Sequence, residues 1–291
     1  MDDLYQQDRK KPFEPIFANP SSLYRDTPFW AWNCRLEEAE LRRQIGIFQE
    51  MGMGGFHMHS RTGTVTPYLS EAFMDLVAAC VDEAKKRDML AWLYDEDRWP
   101  SGFAGGIVTR DPKFRGRYLQ VRFDKRTEPV DHENDDDGRF LASYAVKLDA
   151  EARLADYRRC GEDDPAEPDE IRIWCYRLIN PKSGWYNNQC YVDTLNPAAI
   201  RKFVEVTHEA YFRKVGSEFG KVVPSIFTDE PQFAHKQSLT YARGDADAAD
   251  GQKPHAARIA FAREHGELAL PYTDDLPETY RKAYGADFFE T

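Results

Sequence analysis

The chain has 291 residues, 42% hydrophobic and 13% aromatic, which is enough for one large core or two smaller ones and too apolar for a disordered chain. It carries 39 Lys and Arg against 50 Asp and Glu, a formal charge of −11 that repels phosphate backbones and argues against a nucleic-acid partner. Five cysteines (Cys34, Cys80, Cys160, Cys175 and Cys190) without a C-x-x-C pair point to free thiols in a reducing compartment, and no stretch approaches the length of a membrane span. With no apolar signal region at the start, the expected location is cytoplasmic, or outside the cell for a chain whose signal has been removed.

Residues 1–27 are polar and read as an N-terminal arm. A repeating pattern follows over 28–116. Pro28 to Asn33 is short, apolar and aromatic, and reads as a buried strand. Glu37 to Met51 places Leu41, Ile45 and Phe48 at helical spacing, and Gly52 breaks that helix. Phe56 to His59 is a second strand. Ser70 caps a helix running to Arg87, with Phe73, Leu76, Val77, Cys80 and Ala84 on one face. Met89 to Tyr94 is a third strand, and Asp95, Glu96 and Asp97 stand at its C-terminal end. This order predicts βαβ units and a parallel sheet.

Residues 117–192 lose that spacing and alternate instead, as in 118–123, 142–146 and 171–176, which predicts an inserted antiparallel β subdomain with acidic loops near 131–137 and 162–170. The loop from Glu133 has Tyr144 where a calcium loop needs its bidentate acid, so it reads as a hairpin turn. From 193 to 291 the βα pattern resumes. A helix opens at Pro197 and runs to about Val215, a strand covers Val222 to Phe227, and helices are expected near 254–266 and 277–285. The predicted fold class is therefore α/β, a (β/α)8 TIM-type barrel present in part, since four parallel strands are visible where a barrel has eight.

In such barrels the reacting groups stand at C-terminal strand ends. Those ends hold Trp32 and Asn33; His57, His59 and Arg61; Asp95, Glu96 and Asp97 with Trp99; and Asp229 and Glu230. Alternation puts Glu230 on one face with Ile226 and Thr228. Glycoside hydrolysis needs one carboxylic acid and one carboxylate. Glu230 with Asp95 or Glu96 is the expected catalytic pair, with Asn33, His57, His59, Arg61, Asp97 and Asp229 as substrate contacts. Trp30, Trp32, Trp99 and Trp185 are candidate sugar platforms, although core packing competes for each. Two alternatives stand beside this reading. His57 and His59, two apart on a strand, could bind zinc in a metal-dependent hydrolase. A carbohydrate-binding protein without catalysis would carry the same aromatic rings.

The runs Phe29-Trp30-Ala31-Trp32-Asn33, Gly52-Met53-Gly54-Gly55-Phe56, Tyr68-Leu69-Ser70, Tyr94-Asp95-Glu96-Asp97-Arg98-Trp99-Pro100-Ser101-Gly102, Asp193-Thr194-Leu195-Asn196-Pro197 and Phe227-Thr228-Asp229-Glu230-Pro231 occur in that order. Together they resemble the catalytic barrel of bacterial glycoside hydrolases similar to the family 106 α-L-rhamnosidases, from about residue 12 onward. The resemblance implies a (β/α)8 core, carboxylate acid/base chemistry on a plant or microbial glycan, and a calcium ion near the bound sugar.

Overall fold

The computed structural model describes residues 12–128, 137–149, 154–233 and 267–290. In chain order the elements are α1 (Phe13–Ala18), β1 (Phe29–Trp32), α2 (Glu38–Glu50), β2 (Gly55–Ser60), α3 (Glu71–Lys86), β3 (Leu90–Tyr94), β4 (Arg117–Arg122), β5 (Arg139–Leu148), β6 (Leu154–Cys160), β7 (Ile171–Ile179), α4 (Pro197–Val206), α5 (His208–Val215), β8 (Ile226–Phe227), β9 (Glu267–Tyr272) and α6 (Leu276–Tyr284). The described residues of Met1–Arg110, Gly184–Asn187 and Ala198–Gln232 form one compact unit; those of Asp111–Ser183, Asn188–Pro197 and Phe233–Thr291 form another.

The first unit holds a parallel sheet in the order β1-β2-β3-β8, with Trp30 opposite Met58, Phe56 opposite Ala91 and Tyr94 opposite Phe227. Alternation sends Trp30, Trp32, Phe56, Met58, Ala91 and Leu93 into one core, where Leu41 and Ile45 of α2, Phe73, Val77 and Cys80 of α3, and Tyr211 and Val215 of α5 meet them. Burying such chains stabilises by about 1.5–3 kcal/mol each, which fixes the sheet on its helices. The sequence dictates the local details. Ser70 Oγ accepts the Phe73 N–H and caps α3 as expected, with Lys85 and Lys86 in its last turn. Gly55 is required because a Cβ there would strike the Leu90 carbonyl across the sheet. The helix expected from Pro197 to Val215 is divided at Thr207, whose hydroxyl donates to the Phe203 carbonyl at 2.6 Å and competes with the helical ladder.

Within the described residues this sheet is open, with β1 and β8 as its edges; they form four parallel strands, as expected, but no closed sheet that would make them a barrel. Its second face carries Phe29, His57, Trp92 and Phe227, and Phe29 is 58% exposed.

The second unit is an antiparallel sheet in the order β6-β5-β7-β4-β9. The alternating segments of 117–192 do form antiparallel strands, β4, β5 and β7, and the sheet adds two strands that alternation did not mark, β6 and β9. The edge strand β6 is exposed along most of its length and bears Arg158 and Arg159, ion-paired to Glu170 and Glu290. Strand β9 lies in the 193–291 segment expected to continue the parallel pattern, yet it pairs with β4, Arg117 opposite Tyr272. The helix expected at 254–266 and the loop at 131–136 fall outside the described residues. Among the described residues no helix is long and apolar enough to cross a membrane.

Candidate active site

The acidic run after β3 is turned inward. Asp95 and Glu96 are fully buried. Asp95 Oδ1 accepts Ser101 Oγ at 2.6 Å; its Oδ2 accepts Thr228 Oγ1 at 2.6 Å and His208 Nε2 at 2.9 Å. Glu96 accepts five backbone N–H groups. Asp97 and Gly105 bond its Oε1 at 2.8 and 2.6 Å, and Gly102, Phe103 and Ala104 bond its Oε2 at 3.0, 3.0 and 2.7 Å. The loop can wrap its amides onto one carboxylate because Gly102 and Gly105 take φ of +141° and +62°. Burial pushes the Glu96 carboxyl up, to about 8, and the five amides, which favour the ionised form, hold it from rising further. Asp97 accepts Ser60 Oγ at 3.2 Å, Arg98 Nε at 3.3 Å and Asn187 Nδ2 at 2.6 Å.

The run after β8 is turned outward. Asp229 is tied through its backbone: its N–H donates to Ser101 Oγ at 2.9 Å, and its carbonyl accepts the Ser101 N–H at 2.8 Å. Its Oδ2 accepts the Tyr94 hydroxyl at 3.2 Å, with His59 Nε2 4.0 Å away. Burial raises the Asp229 carboxyl, the Tyr94 hydrogen bond opposes this, and the neighbouring Glu230 charge adds to the rise. Glu230 is exposed, and its Oε2 accepts Trp99 Nε1 at 2.9 Å. Its backbone has φ +40°, a left-handed conformation rare for such a residue and rarer before a proline.

The histidines flank this end. His57 stacks on Trp92 at 5.0 Å, and its Nδ1 lies 3.2 Å from the Thr27 carbonyl. His59 lies on the Tyr94 ring at 3.8 Å; burial, then the Arg61 and His57 charges, push it down to about 4. Arg61 and Asn33 are exposed at their strand ends.

The four tryptophans separate. Trp30 and Trp32 are core residues, 8% and 1% exposed, and Trp30 Nε1 donates to Gln44. They lie on the helix-covered face of β1, which withdraws them as sugar platforms. Trp99 and Trp185 meet edge to face at 5.5 Å, and Trp185 is 59% exposed.

Among the described residues no group of three or more His, Cys, Asp or Glu is placed to hold a metal ion. The zinc reading of His57 and His59 therefore lacks a third ligand there. Nor do the described residues gather acids for the calcium implied by the resemblance, and Asp97, the most open acid of its run, already has donors on both oxygens.

The strand ends thus bring together His59, Tyr94, Asp229, Glu230 and Trp99, and set Asp95 and Glu96 beneath them. Sequence reasoning did not single out Ser101, Thr228, Tyr94 or His208 as parts of this network; only the position of Ser101 within the run after Asp97 hinted at it.

No family model and no curated protein matches the chain. Among solved structures, a rhamnosidase from Novosphingobium sp. PP1Y is similar, with 11% identity and a TM-score of 0.48 over 94% of this chain and 41% of that one.

Proposed function

We propose that the protein is a glycoside hydrolase, or the part of one that carries its reacting carboxylates, and that Asp229 and Glu230 are those groups. The observation that carries this reading is the β8 strand end: two adjacent acids in unlike surroundings, one held in a strained backbone conformation. In parallel sheets ligands bind beyond the carboxyl ends of strands. Backbone strain in a non-glycine residue clusters at reacting sites. Two carboxyls in unlike environments divide acid and base roles. Asp229, half-buried and raised, is the better suited of the two to donate a proton to the leaving oxygen. Glu230, exposed and ordered by Trp99, serves as base or nucleophile. Arg61 and Asn33, exposed at their strand ends, bind hydroxyls, buried His59 backs Tyr94 and Asp229 beneath them, and Trp99 with Trp185 offers ring faces to the sugar. The roles first expected for Asp95 and Glu96 pass to support of this end, since neither reaches the surface.

The open parallel sheet fits a (β/α)8 barrel seen in part. Its second face, aromatic and exposed at Phe29, would supply the lining that such a barrel buries, since purely parallel sheets are covered on both faces. The resemblance to the family 106 rhamnosidases, carried by the run from Tyr94 to Gly102, supports a plant or microbial glycan as the substrate class.

The test is a pH profile of hydrolysis over a panel of aryl glycosides. The expected profile is bell-shaped, with an alkaline limb set by loss of the Asp229 proton. Asp229→Asn removes that limb. Calorimetric sugar binding without turnover on any of the panel overturns the hydrolase reading in favour of a binding protein.

A further inference from the structure

Three donors from separate elements converge on the buried carboxylate of Asp95. Ser101 comes from the loop after β3, Thr228 from the end of β8, and His208 from the first turn of α5. His208 Nε2 faces a carboxylate oxygen at 2.9 Å and donates to it. Two of these donors are joined to the strand end that bears the exposed acids. Thr228 directly precedes Asp229, and Ser101 exchanges hydrogen bonds with both the N–H and the carbonyl of Asp229. Asp95 itself is fully buried and touches no space a substrate could occupy. A buried carboxylate is costly without donors, so the geometry of its partners is fixed along with it.

We propose that Asp95, anchored by His208, is a positioning residue that fixes the backbone from Thr228 to Glu230 and so aims the two carboxylates after β8. The left-handed conformation of Glu230 is one the chain does not hold unaided, and the Asp95 network is the neighbouring structure that over-determines it. The aim matters for catalysis only under the hydrolase reading above; the positioning itself does not depend on it.

Amide hydrogen exchange read by NMR tests this directly. In Asp95→Asn a carboxamide NH2 faces incoming donors. The Ser101 and Asp229 amides then exchange about tenfold faster or more, while the amides of the β2–β3 ladder keep their rates. His208→Leu gives the same local pattern, and His208→Gln, which retains an N–H donor, restores protection. Unchanged exchange at Ser101 and Asp229 in Asp95→Asn and His208→Leu overturns the proposal, as does a loss of protection spread evenly over the parallel sheet. Should Asp95→Asn fail to fold, the two His208 variants carry the same outcomes. Hydrolysis on the same samples separates the two readings. With both correct, kcat falls at unchanged KM. With no turnover in the parent protein but the local exchange pattern present, the hydrolase reading fails and the positioning role stands.

Discussion

The ends of β3 and β8 are neighbours in one sheet, Tyr94 opposite Phe227, and each runs into consecutive acids. Their fates differ. Both oxygens of Asp95 and of Glu96 are taken up by donors from the protein, and neither residue is exposed. Asp229 is half-covered and Glu230 is open, each with a side-chain donor on one oxygen. An acid whose hydrogen-bonding capacity is filled by its own chain holds structure; an acid with capacity left over can meet a ligand.

The largest expected effect breaks the scaffold side. Glu96→Leu leaves four buried amides and the half-buried amide of Gly105 without an acceptor and should cost about 5 kcal/mol in urea unfolding. A loss under about 1 kcal/mol would put Glu96 outside the scaffold. Next, Trp32→Ala should destabilise by about 3–5 kcal/mol by opening a core cavity. Trp185→Ala should stay within about 0.5 kcal/mol and instead raise KM. Equal stability losses would contradict the division of the tryptophans.

His59 supplies a pH test between the two ends. Its folded pKa of about 4 lies below the ordinary 6.5, so the unfolded chain takes up the proton first. The stability it contributes is complete above about 6.5 and is lost as pH falls towards 4, about 3 kcal/mol in all. His59→Phe should flatten that part of the stability profile; an unaltered slope would mean the ring is not desolvated on Tyr94. The smallest effect is on Trp99→Phe, which removes one hydrogen bond to Glu230. It should lower kcat about tenfold or less, with the melting temperature nearly unchanged.

Much of the first unit was legible in the sequence. Helix α3 announced its Ser70 cap and its apolar face, and the short aromatic runs marked β1, β2 and β3. Alternation also gave the antiparallel sheet, but not β9, whose partner β4 lies far back in the chain. Periodicity says which residues share a face and not what covers that face, so Trp30 and Trp32 looked as available as Trp99. The same limit applied to the acids. The amides that fill Glu96 come from a loop shaped by positive φ at Gly102 and Gly105, and His208 reaches Asp95 across 113 residues. Neither closure has a local signature.

Under the proposed hydrolase reading the β8 end reacts and the β3 end supports it. Steady-state hydrolysis of an aryl glycoside by the protein and by Glu230→Gln, with circular dichroism on both, tests it most directly. The expected result is a fall in kcat of about 100-fold or more with an unchanged spectrum and melting curve. Turnover within about twofold of the parent protein would contradict it.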